Sequence, residues 1–352
     1  MSTGPPHTQH PQVQLVAGQA LIPKETPMIK RMALKTLFAA LALAVAGPAM
    51  AQGQQLKWAH VYETSEPYHK WSVWAADEIK KRSNGKYDIQ VFPASSLGKD
   101  SDINQGLQIG TVDIIISGAS FAARSFPRIG VGYYPYTFRD ADHLLAYAKS
   151  DVFKEMADGY KAKTGVQMTA VTYYGARHST SNKLFKTCDE MKGLKMRVPD
   201  VPAYMALPRA CGANPTPIAF AEVYLALQNG TVDAQENPLP TIEAKKFYEV
   251  QKNIILTGHI LDSLVTQVAP HVWNKLSDVE KKLFTDVMQE AAVKSTEEIR
   301  KRENELVDEF KKKNINVVTV NRDEFRDRIV KAIDMSTMGY DKKDWDRIQA
   351  LK

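Results

Sequence analysis

The sequence predicts an α/β fold of two lobes with a long helix reaching across both. Strand-like and helix-like segments alternate along most of the chain, the pattern of mostly parallel sheets flanked by helices. The 352 residues exceed the length, roughly 250–300, at which one core usually divides into two. A capped helical pattern then runs from Val279 to about Lys313, long enough to lie over both lobes.

The first residues stand apart from this pattern. Residues 1–27 are rich in Pro, Gln, Thr and His without periodicity and read as a disordered or mis-started leader. Lys30, Arg31 and Lys35 precede an apolar stretch from Leu37 to Gly47, and Ala49-Met50-Ala51 has the small-x-small cleavage pattern. Residues 28–51 therefore read as a secretory signal cleaved after Ala51, too short in its apolar part for a membrane span of about 20 residues.

Gln54 to Tyr62 reads as the first strand, followed by the polar loop Glu63-Thr64-Ser65-Glu66. A helix follows with Trp71, Trp74 and Ile79 on its buried side, stopped by Asn84-Gly85. Tyr87–Phe92 is strand-like, Asp100–Ile109 helical, and Val112–Ile116 a short apolar run suited to a strand covered on both faces. In the second half, a strand over Gln167–Tyr174 precedes Leu194, Met196 and Val198, which alternate with Lys195 and Arg197 as in a strand buried on one face. Ala221–Gln228 reads as a helix capped by Gly230, and Val232 as the start of a further strand. Leu107-Gln108-Ile109-Gly110-Thr111-Val112-Asp113 echoes Leu227-Gln228-Asn229-Gly230-Thr231-Val232-Asp233, which suggests two lobes with similar wiring. Ser277-Asp278-Val279-Glu280 is a capping box opening the long helix.

Composition narrows the function. Lys24, Lys30, Arg31 and Lys35 against Glu25 account for half of the formal charge of +6, and no basic block suits a phosphate backbone, so nucleic-acid binding is not expected. There is no G-x-S-x-G elbow, P-loop or H-E-x-x-H, and no histidine pair has metal-ligand spacing, so no cofactor or metal is expected. The two cysteines, Cys188 and Cys211, fit either a disulfide or two buried thiols. The polar residues that stand out sit at strand ends. Arg177 follows the strand ending at Tyr174-Gly175, Arg197 lies out of phase with the buried face of its strand, and Asn237 comes just after Val232–Glu236. Two guanidinium groups and an amide near one cleft match the planar oxygen pair of a carboxylate.

Several longer motifs, in order, carry a resemblance. Met191-Lys192-Gly193-Leu194-Lys195-Met196-Arg197-Val198-Pro199, Gly212–Tyr224, Val232–Pro238 and Lys246–Lys252 resemble the periplasmic solute-binding proteins of TRAP transporters, the DctP family, and the likeness extends over about 54–350. It implies a type II-like periplasmic-binding-protein fold with a hinge and closure around a ligand. Lobe 1 is then expected to comprise 52–174 and 263–302, and lobe 2 175–262 and 303–352. The resemblance gives Arg197 the role of clamping the ligand carboxylate, Arg177 that of a second cleft arginine, Asn237 that of the orienting amide and Phe220 that of a wall. It places His60, Tyr62 and Glu63 in a cleft-facing loop of the other lobe. Where sialic-acid-binding members carry a cleft glutamate, this chain has Gly118.

The motifs His60–Glu66 and Tyr173–His178 are similar to members that bind sugar acids such as galacturonate and glucuronate. A C4-dicarboxylate would want cations in both lobes, and Glu63 would repel its far end. The function expected is a monomeric periplasmic receptor, not an enzyme, that passes a small organic acid to a TRAP membrane transporter. The alternatives are a receptor for a C4-dicarboxylate or other carboxylate, and a secreted sugar-acid enzyme. A cation near Gln235 and Glu236 is left open.

Overall fold

Strands and helices alternate much as expected in the computed structural model, which describes residues 53–352. The expected leader and export signal over 1–51 lie outside the described residues. The first unit is β1 (Gln54–Ala59), α1 (Pro67–Arg82), β2 (Tyr87–Phe92), α2 (Asp100–Ile109) and β3 (Ile114–Gly118). Next come α3 (Ala119–Ala122), a 3-10 helix at Pro127–Tyr133, α4 (Ala141–Ala148), α5 (Asp151–Thr164) and the long strand β4 (Gln167–Ser181). The theme repeats in β5 (Lys195–Val198), α6 (Ala206–Ala210), β6 (Asn214–Pro217), α7 (Val223–Gln228), β7 (Ala234–Pro238) and α8 (Leu239–Ala244). The chain closes with β8 (Asn253–Val268), α9 (Pro270–Trp273), α10 (Asp278–Lys312), β9 (Asn316–Thr319), α11 (Arg322–Ala332) and α12 (Lys342–Gln349).

The sequence echo is a repeated structural device. Gly110 and Gly230 both take left-handed backbone, at φ 85° and 69°, and end α2 and α7. Three residues on, Asp113 Oδ2 accepts from Lys57 N at 2.7 Å, and Asp233 Oδ2 accepts from Lys195 N at 2.9 Å. Each aspartate thereby staples the incoming strand to the start of its parallel neighbour. The two trios, β2-β1-β3 and β7-β5-β6, occupy matching places in their lobes.

The described strands form one sheet in the order β2-β1-β3-β8-β4-β7-β5-β6, with β9 beside β8. The expectation of mostly parallel sheets holds within each trio only. β8 runs antiparallel to β3 and β4, and β4 antiparallel to β7. β4 and β8 are the shared strands. Gln167–Thr172 of β4 pairs with Leu264–Val268, beside β3, while Arg177–Ser181 pairs with Asn253–Ile260, beside β7 and β9. Between these stretches the register breaks at Tyr173/Gly175, and further breaks at Met168/Ala170 and Arg177/Ser179 lie within them.

The helix α10 bridges the same division. Ser277 and Glu280 form the expected capping box. Glu298 accepts from Lys70 Nζ at 2.8 Å and Trp71 Nε1 at 2.9 Å of the first unit, whereas Arg302 pairs with Glu243 of α8 at 2.7 Å. One turn apart, the helix thus changes lobes. The last helix departs from the expected division of 303–352 into lobe 2. Asp344 takes a bidentate pair from Arg128 at 2.7 Å, and Ile348 O accepts from His143 Nε2 at 2.8 Å, so α12 is held on the 127–164 segment of lobe 1.

One core runs through both lobes, and a second lies between β1, α1 and α10 around Trp58, Ile79, Phe284 and Val287. Cys188 and Cys211 form a disulfide in lobe 2, with a sequence separation of 23.

Candidate functional site

The parallel strands β1, β3, β5 and β7 direct their carboxyl ends at one partly open cavity, the general location of ligands in α/β sheets. Its volume is about 30 Å³. By the measure on which one water needs about 10–15 Å³, that holds two or three waters as it stands. Val61, Tyr62, Asp100, Gly118 and Phe121 face it from lobe 1, and Arg177, Arg197, Phe220 and Asn237 from lobe 2. A vestibule of about 260 Å³ adjoins it and shares Asp100, Phe121, Arg197, Pro199 and Phe220 in its wall. Arg124 and Asp200 pair at its rim at 2.6 Å.

Arg197 is the third residue of β5. The expected one-sided burial does not hold, because Met196, Arg197 and Val198 are 0%, 2% and 0% exposed. A strand between β6 and β7 is covered on both faces, so alternation says nothing about exposure here. Arg197 Nε and Nη2 donate to Ile218 O at 2.9 and 2.7 Å, and Nη1 is buried without a partner. Burial pulls this guanidinium down to about 10, with Glu236 and Asp100 opposing the fall and Arg177 adding to it. It stays charged at neutral pH and has one donor unmatched.

Arg177 differs in this respect. β4 continues past Gly175, contrary to the expected strand end, and carries Arg177 in its interior. Nη1 donates to Asp262 Oδ2 at 2.8 Å, Nη2 to Glu236 Oε1 at 2.7 Å, and Nε to Glu236 Oε2. Burial works against its charge, but Glu236 and Asp262 more than offset this, and its proton affinity is raised. Glu236 in turn is pushed up by burial and pulled further down by Arg177. Burial keeps His259 neutral although its Nε2 lies 3.3 Å from Glu236 Oε2.

Asn237 lies inside β7 rather than after it. Its Oδ1 accepts from Arg177 Nη2 at 3.2 Å, and its Nδ2 donates to Gln235 Oε1 at 2.6 Å. Gln235 and Glu236 are thus engaged by protein groups, and among the described residues no cluster of three or more His, Cys, Asp or Glu could hold a metal. Phe220 and Tyr62 both line the cavity, 6.3 Å apart between ring centres, with Tyr62 also packed on Tyr174 at 5.4 Å.

His60 and Glu63 do not join them. His60 is 1% exposed beneath the loop, its Nδ1 accepting from Tyr62 N and its Nε2 3.2 Å from His69 Nδ1. Burial and His69 hold it at about 3, so it is neutral. Glu63 Oε1 accepts from Lys245 Nζ of lobe 2 at 2.7 Å, and neither residue lines the cavity. The Glu63–Lys245 pair bridges the two lobes. Beside them, the buried Glu66 accepts from Thr241 Oγ1 at 2.7 Å and is pushed up to about 7 by burial.

Three polar residues of the cavity wall escaped the sequence reading: Asp100, Tyr204 and Asp262. Asp262 left a signal, a lone acid within the apolar run Ile260-Leu261-Asp262-Ser263-Leu264-Val265. Asp100 looks in sequence like an ordinary first-turn acid of a helix. Burial pushes both up to about 6, against the pull of Arg197 on Asp100 and of Arg177 on Asp262.

A family model described as bacterial extracellular solute-binding protein, family 7 (DctP) matches residues 58–337. The sialic acid-binding periplasmic protein SiaP of Vibrio cholerae is 36% identical over 72% of this chain and 78% of its own. A TRAP periplasmic solute-binding protein from Bordetella bronchispeptica, its density assigned to pantoate, superposes with a TM-score of 0.81 at 33% identity, covering 85% of this chain and 99% of that one. One from Polaromonas sp. JS666 bound to D-erythronate has the same TM-score of 0.81 at 30% identity, again over 85% and 99% of the two chains. With a family match over most of its length, this chain belongs to bacterial extracellular solute-binding protein family 7, the DctP family.

Proposed function

We propose that this chain is an exported, periplasmic receptor that binds a small hydroxylated monocarboxylic acid and delivers it to a TRAP membrane transporter. One observation carries this reading: Arg197, in the wall of the cavity, has a buried guanidinium nitrogen without a partner. A buried cation is stable when an anion completes it, and a carboxylate fits the guanidinium fork. The solved relatives from Bordetella and Polaromonas hold pantoate and D-erythronate, both hydroxy acids on a four-carbon chain. The cavity as it stands holds two or three waters, so a four-carbon hydroxy acid must extend into the adjoining vestibule. Asp100 and Asp262 in the wall disfavour the second carboxylate of a C4-dicarboxylate. At Gly118, a Cβ would already meet Ser120 Oγ at 3.1 Å, which leaves little room for the glutamate of sialic-acid binders.

Within this class, a uronate such as galacturonate or glucuronate is the larger candidate. It keeps the support of the Tyr173–His178 motif but loses that of His60 and Glu63, which point elsewhere. A uronate would also have to fill the vestibule.

Calorimetry with D-erythronate, D-glucuronate and succinate tests the reading. The hydroxy acids should bind and be recovered unchanged, as expected of a receptor rather than an enzyme. Arg197→Ala should weaken binding by about 2–5 kcal/mol, the usual effect of truncating a buried charge pair. Undiminished affinity in that variant would refute the clamp.

A further inference from the structure

Among the described residues, two side chains of the cavity wall have a buried polar atom without a partner: Arg197 at Nη1 and Asp262 at Oδ1. One is a cationic donor and the other a carboxylate acceptor. Asp262 is held in place by its other oxygen, which accepts from Arg177 Nη1 at 2.8 Å and from Tyr204 Oη at 3.2 Å. The Arg177 guanidinium lies over the Tyr204 ring, 4.6 Å from its centre. Oδ1 of Asp262 therefore has a fixed place, with the Ser263 backbone N–H as its nearby protein donor and no side-chain partner.

We infer that Asp262 is the specificity-determining second anchor of the ligand: its Oδ1 accepts a hydrogen bond from a hydroxyl of the acid whose carboxylate Arg197 holds. The inference rests on the carboxylate reading above and adds what the rest of the ligand must carry. An acid without a hydroxyl satisfies Arg197 and leaves Asp262 buried and unmatched. A second carboxylate in that place meets like charge from Asp262 and Asp100. Both penalties select a hydroxy monocarboxylate.

The Asn variant inverts the site. With Arg177 still donating to position 262, the amide oxygen turns toward Arg177 and the NH2 toward the cavity, so an acceptor becomes a donor.

Calorimetry on the full chain with D-erythronate, butyrate and succinate tests this. The parent should bind D-erythronate roughly 10- to 100-fold more tightly than butyrate, the difference expected for a hydrogen bond to a charged group. Asp262→Asn should narrow that ratio by about tenfold and should bind succinate more tightly than the parent does. Equal parental affinity for D-erythronate and butyrate would overturn the inference, whether or not the variant folds. So would a folded Asp262→Asn protein with unchanged ratios. Arg197→Met separates the two ideas. Loss of D-erythronate and butyrate alike sustains the clamp whatever position 262 does, and unchanged binding removes the carboxylate reading on which the inference stands.

Discussion

Arg177 and Arg197 line one cavity from the strands on either side of β7, and only Arg177 has its charge matched by carboxylates. The two arginines should therefore separate stability from binding. Arg197→Met removes a buried cation whose partners are a backbone carbonyl alone, so the ligand-free protein should keep or gain up to about 2 kcal/mol of stability. Arg177→Met strands Glu236 and Asp262 in the interior and should cost about 3–5 kcal/mol. Urea denaturation of both variants without ligand checks the contrast.

Gly175 stands where β4 passes between the lobes, at φ 125°, a conformation that a side chain rarely adopts. A Cβ there would lie 2.7 Å from Pro238 Cβ and 2.8 Å from Glu303 Oε1. The same Glu303 oxygen accepts from Ala176 N at 2.6 Å and so ties α10 to the crossing. Gly175→Ala should destabilise by about 2–4 kcal/mol, measured by thermal unfolding.

Glu66 gives stability a pH dependence of unusual sign for a carboxylate. Burial raises it from 4.5 to about 7, so the folded chain holds a proton there that the unfolded chain releases. Its contribution is full below pH 4.5 and falls away as the pH rises through 7. Glu66→Gln should remove this fall, so the variant should gain on the parent by at most about 3 kcal/mol between pH 5 and pH 8. Denaturation curves of both proteins across that range measure it.

The Cys188–Cys211 bond closes a loop of 23 residues in lobe 2. Loop entropy for that span is about 3 kcal/mol. Replacing both cysteines by alanine should lower stability by about that amount in chemical denaturation. Both cysteines are buried, at 0% and 5% exposure, so reduction of the folded parent should be slow.

The strand–helix alternation, the glycine caps, the capping box and the long helix were legible because each rests on local pattern. β8 was not. Thr257, Gly258, His259, Asp262 and Gln267 interrupt its apolar run, and a strand buried on both faces shows no alternation to read. The same double cover made Arg197 look like a residue facing away from the core. Of the expected site, Arg177, Arg197, Phe220, Tyr62 and Asn237 come together around the cavity. His60 and Glu63 do not, because their partners His69 and Lys245 are set by packing that no local motif announces. Asp262 sits on β8 and was hidden with it.

The shared strands have one more consequence. β4 and β8 each give one end to one trio and the other end to the second, α10 crosses beside them, and α12 returns to the half in which the described chain began. Neither half corresponds to a contiguous piece of gene. No truncation can release one lobe intact, and a separated lobe would require cutting the chain at each of its four crossings, in β4, in β8, in α10 and before α12. Such a molecule is constrained to be made, kept and lost as a single unit.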